Sequence, residues 1–215
     1  MPQSNDRTSG VSTLRRYTDI PALIYMLRRK RLTLLNPSNW DDKNDSHYIN
    51  VYKDKKALGA VLALCFTEAG ETYHHWRVFS SGTSGVCIRF NKEVLLAHLA
   101  KKTSIRFGLA QYKMMDHVRT TTLAVDDLPF LKRFAFRDEQ EFRLLYDSKN
   151  PLQSKDFSLP LECIDRITIN PWLNERLADG IYDTIRGLKD CEKLYVGQSS
   201  LVNNREWKKL GASAA

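Results

Sequence analysis

Phe134-Ala135-Phe136-Arg137-Asp138-Glu139-Gln140-Glu141-Phe142-Arg143-Leu144-Leu145-Tyr146 alternates charged and apolar side chains through its second half and reads as a β-strand. Side chains on a strand point to opposite faces in turn, so Glu139, Glu141 and Arg143 share one face, and Gln140, Phe142, Leu144 and Tyr146 the other. With the apolar face in a core, the outer face carries two carboxylates about 7 Å apart with a guanidinium beyond them. Such a wall suits a cleft in which positive charge develops. The plainer alternative is an edge strand whose outer face is merely solvated.

Strand and helix signals alternate on both sides of this stretch. Ser12 to Tyr17 reads as a strand, after which Thr18-Asp19 caps a helix with Pro21 in its first turn and Ile20, Leu23, Ile24 and Leu27 on one face. The basic run Arg28 to Arg31 closes that helix, a strand Leu32 to Leu35 follows, and Asn36 to Asn39 form a turn. Ala60 to Phe66, Val86 to Phe90, Ile105 to Tyr112, Ile164 to Ile169 and Leu194 to Val196 read as further strands. Helices are expected over Lys92–Lys101, with Val94, Leu95 and Leu99 in one stripe, and over Asn174–Leu188, with Leu177, Ile181, Ile185 and Leu188 inward. No Gly-rich phosphate loop interrupts them. The order predicts an α+β fold: a disordered N-terminus over residues 1–11, then a single domain over 12–210 whose mixed, strongly bent sheet has three to four flanking helices.

Composition narrows the partners. The 215 residues carry a net charge of +8, which favours an anionic partner such as nucleic acid, a nucleotide or an acidic protein. No apolar run approaches the roughly 20 residues that span a bilayer, and the polar first ten residues are unlike a signal peptide, so a cytoplasmic protein without membrane contact is expected. Four separated cysteines with no C-x-x-C pair suggest reduced thiols. His74-His75 with Cys65 or His47 fits no zinc spacing. Asp41-Asp42-Lys43-Asn44-Asp45 lacks the glycine and terminal glutamate of a calcium loop and reads as a helix-capping loop, so no metal is expected.

An ordered set of motifs resembles a large bacterial family of unknown function that includes AbiGi-type abortive-infection proteins. The set is Arg16-Tyr17-Thr18-Asp19-Ile20, Asn36-Pro37-Ser38-Asn39-Trp40-Asp41-Asp42, Cys65-Phe66-Thr67, His75-Trp76, Gly85 to Phe90, and Phe136 to Arg143. A more distant similarity is to ADP-ribosyltransferases of the DNA-modifying DarT type, in which an early strand with Arg or His precedes a helix and a late strand carries a catalytic glutamate before phenylalanine. Arg16 to Pro21 and Gln140-Glu141-Phe142 match those two elements. The middle element, which supports nicotinamide, has no clear counterpart; Ser80 to Ser84 and Tyr73 to Trp76 are the candidates.

That resemblance implies an ADP-ribosyltransferase-like toxin or phage-defence effector that uses NAD to modify nucleic acid (DNA or RNA) or protein. Glu141 would stabilise the ribose cation and Glu139 would orient or deprotonate the acceptor. Arg16 and Thr18 would hold the dinucleotide, Tyr17 or Trp76 would stack on a ring, Arg143 would moderate or pin the acidic pair, and His75 is a further candidate. Phosphates of an acceptor strand would meet Arg28 to Arg31 or Lys132-Arg133. Two other classes remain open: an antitoxin-like or phage-sensing interaction protein whose charged strand binds a protein partner, and a nuclease with Asp41, Asp42 and Asp45 on magnesium.

Overall fold

The structure, a computed structural model, describes residues 12–80, 82–102 and 104–213. The expected disordered segment 1–11 lies outside them. β1 (Thr13–Asp19) runs directly into α1 (Ile20–Arg29), because Asp19 accepts a hydrogen bond from the Ala22 N–H as N-cap and Pro21 occupies the first turn. Leu23, Met26 and Leu27 are the buried stripe of α1, with Ile20 and Ile24 at its margins. Lys30 then takes a left-handed conformation (φ 51°) and turns the chain into β2 (Arg31–Leu35). A 3-10 turn at Pro37–Asn39 leads to Asp42, whose carboxylate accepts from the Asn44 N–H and starts α2 (Lys43–Lys55).

The remaining elements follow as β3 (Ala60–Thr67), α3 (Tyr73–Phe79), β4 (Gly85–Asn91), α4 (Lys92–Leu99), β5 (Ile105–Leu109), β6 (Gln111–Lys113), α5 (Met115–Thr120), β7 (Leu131–Arg133), β8 (Glu141–Ser148), β9 (Ser154–Ser158), β10 (Ile164–Ile169), α6 (Glu175–Arg186), β11 (Val196–Gln198) and α7 (Arg205–Ala212). Nine strands form one sheet in the order β11-β10-β4-β1-β3-β2-β9, with β8 added on β3 and β5 on β8. Among the described residues only β10 and β11 pair parallel in it; β6 and β7 make a separate parallel pair. The fold is therefore α+β with a mixed sheet, as expected, but the described residues hold seven α-helices rather than three or four. α2 carries a weak apolar period because two of its four buried residues are Asp45 and Ser46, α5 is a single short turn and a half, and α7 buries nothing.

β3 is the point where the sheet forks. One side pairs with β8 along its full length, from Ala60↔Ser148 to Thr67↔Glu141. The other side meets β2 only at Ala63 and β1 only at Thr67. In the gap the Cys65 carbonyl accepts a hydrogen bond from Arg16 Nη1 at 3.1 Å, so a guanidinium stands where a strand would otherwise supply the donor. The larger core lies on one face, where Leu14, Leu62, Leu64, Phe90 and Leu144 meet α1 and α4. On the opposite face Val61, Ala63 and Leu145 pack on Ile49 and Tyr52 of α2 and on Leu128 and Leu131.

The stretch 134–146 is not one strand. Phe134–Glu139 forms a 3-10 turn, Gln140 sits in the left-handed region at φ 42°, and alternation starts only at Glu141. Ile105 to Tyr112 likewise divides at Ala110, whose N–H donates to the Glu141 carbonyl, so that β5 pairs with β8 and β6 with β7. The apolar stripes of two helices are narrower than periodicity suggests. Val94 and Leu177 are exposed, and α4 and α6 bury Leu95, Leu99, Ala178 and Ile185 instead.

Gly59 joins α2 to β3 with its N–H donating to the Ser148 carbonyl at 2.8 Å, and a Cβ there would lie 2.5 Å from the backbone of Lys149 and Asn150. Gly59→Ala is expected to destabilise the chain by about 1–3 kcal/mol. Gly70→Ala, which faces open space, should change stability by under about 0.5 kcal/mol. Chemical-denaturation midpoints of the two variants check the contrast.

Candidate functional site

A cavity of about 430 Å³ opens beside the fork, a volume ordinary for a small-molecule site. β1 contributes Arg15, Arg16 and Tyr17, and the end of β3 contributes Cys65, Phe66 and Thr67. Asp41, Asp42 and Asp45 enter from the start of α2 with Trp40 beside them, Val78 and Phe79 from α3, and Lys132 from β7. Phe136 and Glu139 reach in from the turn before β8, and Glu141 from its first residue. Arg16 and Glu141, 125 positions apart in the chain, thus share one wall-to-wall space.

The acidic side of the cavity rests on a buried ion network. Arg143 is fully buried and donates through Nε and Nη2 to the two Glu141 oxygens, each at 2.8 Å, through Nη2 to Asp45 Oδ2 at 2.5 Å, and through Nη1 to the Pro129 carbonyl at 2.8 Å. Strand alternation puts Glu141 and Arg143 on one face, so the pair forms within a single strand, while Asp45 arrives from α2. Lys132 lies above them, 3.0 Å from Glu141 Oε2, 3.4 Å from Asp45 Oδ2 and hydrogen-bonded to Glu139. Its ammonium also lies 5.0 Å from the centre of the Phe136 ring. Three carboxylates therefore face two cations.

The surroundings drive the two glutamates apart. Burial alone would raise the Glu141 carboxyl, but the Arg143 guanidinium, with Lys132 behind it, outweighs burial and holds it down at about 2. For Glu139 burial prevails over the Lys132 ammonium, and nearby Glu141 adds to it, so this carboxyl is raised above its ordinary range. Asp45 is raised for the same first reason even though Arg143 and Lys132 oppose it, since it receives one guanidinium bond where Glu141 receives two. Burial also keeps the Cys65 thiol protonated and lowers His75 toward its neutral form.

Of the residues singled out in the sequence, Arg16, Tyr17, Glu139 and Glu141 line the cavity. Arg143 lies beneath it as the support of Glu141, not on its surface. Trp76 is buried behind Tyr17, edge-on to that ring at 5.0 Å, with its indole N–H donating to Glu71 at 2.7 Å; it does not line the cavity. His75 stacks on the same tyrosine and contacts Thr72 and Thr67. Thr18 pairs with Val86 in the sheet, beyond the lining. Ser80, in the stretch considered as the middle element, donates to the Trp76 carbonyl; Ser81 lies outside the described residues.

Two site residues escaped sequence reading in this role. Lys132 reads as a phosphate contact and Asp45 as part of a helix-capping loop or as a nuclease's magnesium ligand, yet both are buried among opposite charges. Neither carries a local signal, since Asp45 meets Arg143 across 98 positions. Among the described residues, no group of three or more His, Cys, Asp or Glu is placed to hold a metal ion.

No protein-family model matches the chain, and no curated protein does either. Its backbone is similar to solved structures of DarT from Thermus sp. 2.9. The complex with NAD+ gives a TM-score of 0.46 at 10% identity over 89% of this chain and 96% of that one. The complex with ADP-ribosylated ssDNA gives 0.46 at 11% over the same shares, and that with carba-NAD+ gives 0.45 at 9% over 89% and 97%.

Arg143→Met would leave Glu141 and Asp45 buried with Lys132 as their one shared cation and without the guanidinium bonds, and unfolding by denaturant should show a loss of about 3–5 kcal/mol. Glu139→Gln keeps Lys132 paired with two other carboxylates and should cost about 1 kcal/mol or less. The Glu141 carboxyl binds its proton less readily folded than unfolded, so stability rises with pH across that interval. Its contribution of about 3 kcal/mol is complete above the ordinary glutamate range near 4.5 and fades as pH falls toward about 2. Thermal melts of the parent and Arg143→Met across that window check the sign, the variant being the less pH-dependent.

Proposed function

We propose that the cavity binds NAD and that the chain is an ADP-ribosyltransferase-like enzyme. The observation that carries this reading is the convergence of Arg16, near the start of the chain, with Glu139 and Glu141, two-thirds along it, around one cavity. The lining also carries both signs, with Arg15 and Arg16 from β1 and carboxylates from α2 and the β8 end, as a ligand with a pyrophosphate and a cationic pyridinium would need. Arg15 and Arg16 would meet the pyrophosphate. Tyr17, Phe79 and Phe136 would bound the rings.

The bond between ribose C1′ and the nicotinamide nitrogen breaks with its electron pair leaving on nicotinamide, and positive charge builds on the ribose. Glu141, held ionised, accepts a hydrogen bond from a ribose hydroxyl and stabilises that charge. Glu139, held closer to neutrality, takes the proton of the acceptor as it attacks C1′. The acceptor in this reading is nucleic acid or protein, and the role that of a toxin or defence effector.

A second reading has its own observation. Both Glu141 oxygens already accept from Arg143, and one also from Lys132, so the network can be a purely structural lock in a binding module that performs no chemistry.

Incubation with NAD labelled in its adenylate part, with nicotinamide release followed in parallel, separates the two. The enzyme reading expects NAD cleavage, and label on single-stranded DNA, RNA or protein. Glu141→Gln should lower the rate at least about a hundredfold, and Arg16→Ala should raise KM more than it lowers kcat. Because Glu139 must lose its proton to act, the rate should fall on the acid side with a midpoint above the usual glutamate range, and Glu139→Gln should abolish that limb. Absence of NAD cleavage and of transfer in the parent protein would leave the binding module.

A further inference from the structure

Three arginines stand side by side on one face of the sheet. Arg15 of β1 pairs in register with Arg89 of β4, and Arg89 pairs on its other side with Arg166 of β10. Residues directly opposite on neighbouring strands project from the same face, and like charges so placed destabilise the pair. A β-bulge makes the third contact. The register shifts between Ile164 and Arg166, which leaves Arg166 rather than Asp165 opposite Arg89. Beyond it, the exposed ring of Tyr195 lies 4.7 Å from the Arg166 guanidinium carbon and backs that group from the β11 side.

The chain compensates little of this charge. Arg15 Nη1 donates to the Ala69 carbonyl at 2.9 Å, but the Nε atoms of Arg89 and Arg166 are buried without an acceptor. Asp165 Oδ2 lies 3.7 Å from Arg89 Nε, too far for a hydrogen bond. Glu71, beside the next row of Tyr17 and Cys87, accepts from the Trp76 indole and the Ser199 hydroxyl instead. The Arg89 side chain nevertheless keeps 39% exposure, so the row is open to solvent. An ordinary surface arginine stands apart from like charge with its N–H groups in water. Here repulsion and lost hydration both go unanswered within the fold, and an anion laid across the row relieves the repulsion and occupies the open N–H groups.

The chemistry of the row selects the anion. Guanidinium groups on strands about 5 Å apart can approach a tetrahedral oxyanion from two sides, using more acceptor directions than a planar carboxylate offers. Three in line reach two linked phosphoryl groups. Asp165 and Glu71 border the row, so a longer polyanion would carry its charge onto carboxylates.

We propose that Arg89 and Arg166, backed by Tyr195 and with Arg15 at the near end, bind the diphosphate group of a small molecule on the face of the sheet. Arg15 also lines the cavity, so the row starts at its rim, but Arg89 and Arg166 do not line it. The inference therefore stands whether or not the cavity takes NAD.

Calorimetric titration of the full chain with inorganic pyrophosphate, at an ionic strength fixed with sodium chloride, tests it. Saturable binding is expected, and it should persist in Arg16→Ala, which alters only the cavity. Arg89→Gln and Arg166→Gln should each weaken it at least about tenfold, and Arg166→Lys, which keeps the charge without the planar fork, at least about threefold. Pyrophosphate should also raise the thermal midpoint of the parent and leave that of the Arg89→Gln, Arg166→Gln double variant unchanged. Lack of saturable binding, binding lost in Arg16→Ala but kept in the Arg89 and Arg166 variants, undiminished binding by Arg166→Lys, or binding of a single-stranded oligonucleotide but not of pyrophosphate, would overturn the proposal.

Discussion

The guanidinium of Arg143 holds two separate pieces of the molecule to the sheet. It sits on β8 with no solvent exposure, and its acceptors are Glu141 on the same strand, Asp45 on α2, and the Pro129 carbonyl in the turn before β7. A buried guanidinium costs several kcal/mol in lost hydration, which is offset only if its N–H groups find acceptors and its charge finds opposite charge. Nε, Nη1 and Nη2 all find acceptors, and at Nε and Nη2 the acceptors are carboxylates. Well-packed apolar side chains would serve stability as well as such a network. What the network adds is placement: apolar packing would not fix the two Glu141 oxygens in orientation, nor set Lys132 over them.

The fork in the sheet explains why a cavity lies just there. A strand with full neighbours on both sides has its backbone occupied by ladder bonds, and nothing can approach it edgewise. β3 has a full neighbour only in β8, while β1 and β2 separate on its other side. That separation leaves Cys65 as the one residue of β3 that is not fully buried and admits Arg16. The catalytic proposal therefore draws its geometry from topology: the strand that carries Glu141 and the strand that carries Arg16 flank β3 on opposite sides.

Much of this was legible in the sequence and some could not be. α1 was readable because its apolar residues recur at one helical period behind the cap Asp19, and β3 and β4 because each is a short, largely apolar run. The strand holding Glu141 and Arg143 was readable from alternation, and so was their common face. Its start was not, because Gln140 breaks the strand through a left-handed backbone, which glutamine side-chain chemistry does not announce. α2 was obscured since a buried Asp45 counts as polar in any periodicity, and its partners are defined only once β8 and β7 are folded against it. Trp76 and Tyr17 illustrate a further limit: two aromatic residues equally suited to stacking on a ligand differ in that one faces the cavity and the other stands behind it.

The cavity has a charge opposite to that of the protein around it. Its lining carries Asp41, Asp42, Asp45, Glu139 and Glu141 against Arg15, Arg16 and Lys132, in a chain whose net charge is +8. Long-range attraction therefore favours an anion arriving at the surface, while the local field inside favours the cationic end of whatever enters. A uniformly anionic ligand is disfavoured at the carboxylates and a uniformly cationic one is repelled on approach. A molecule of net negative charge with one positive ring satisfies both, and under the proposed reading its ring would face Glu141 and its phosphates Arg16. Burial then sharpens the selection, because a cation that leaves the cavity restores an uncompensated negative charge to a poorly solvated wall. Burial is what raises Glu139 and Asp45 first, and with only two cations for three carboxylates in the network the opposing charges do not bring them back down.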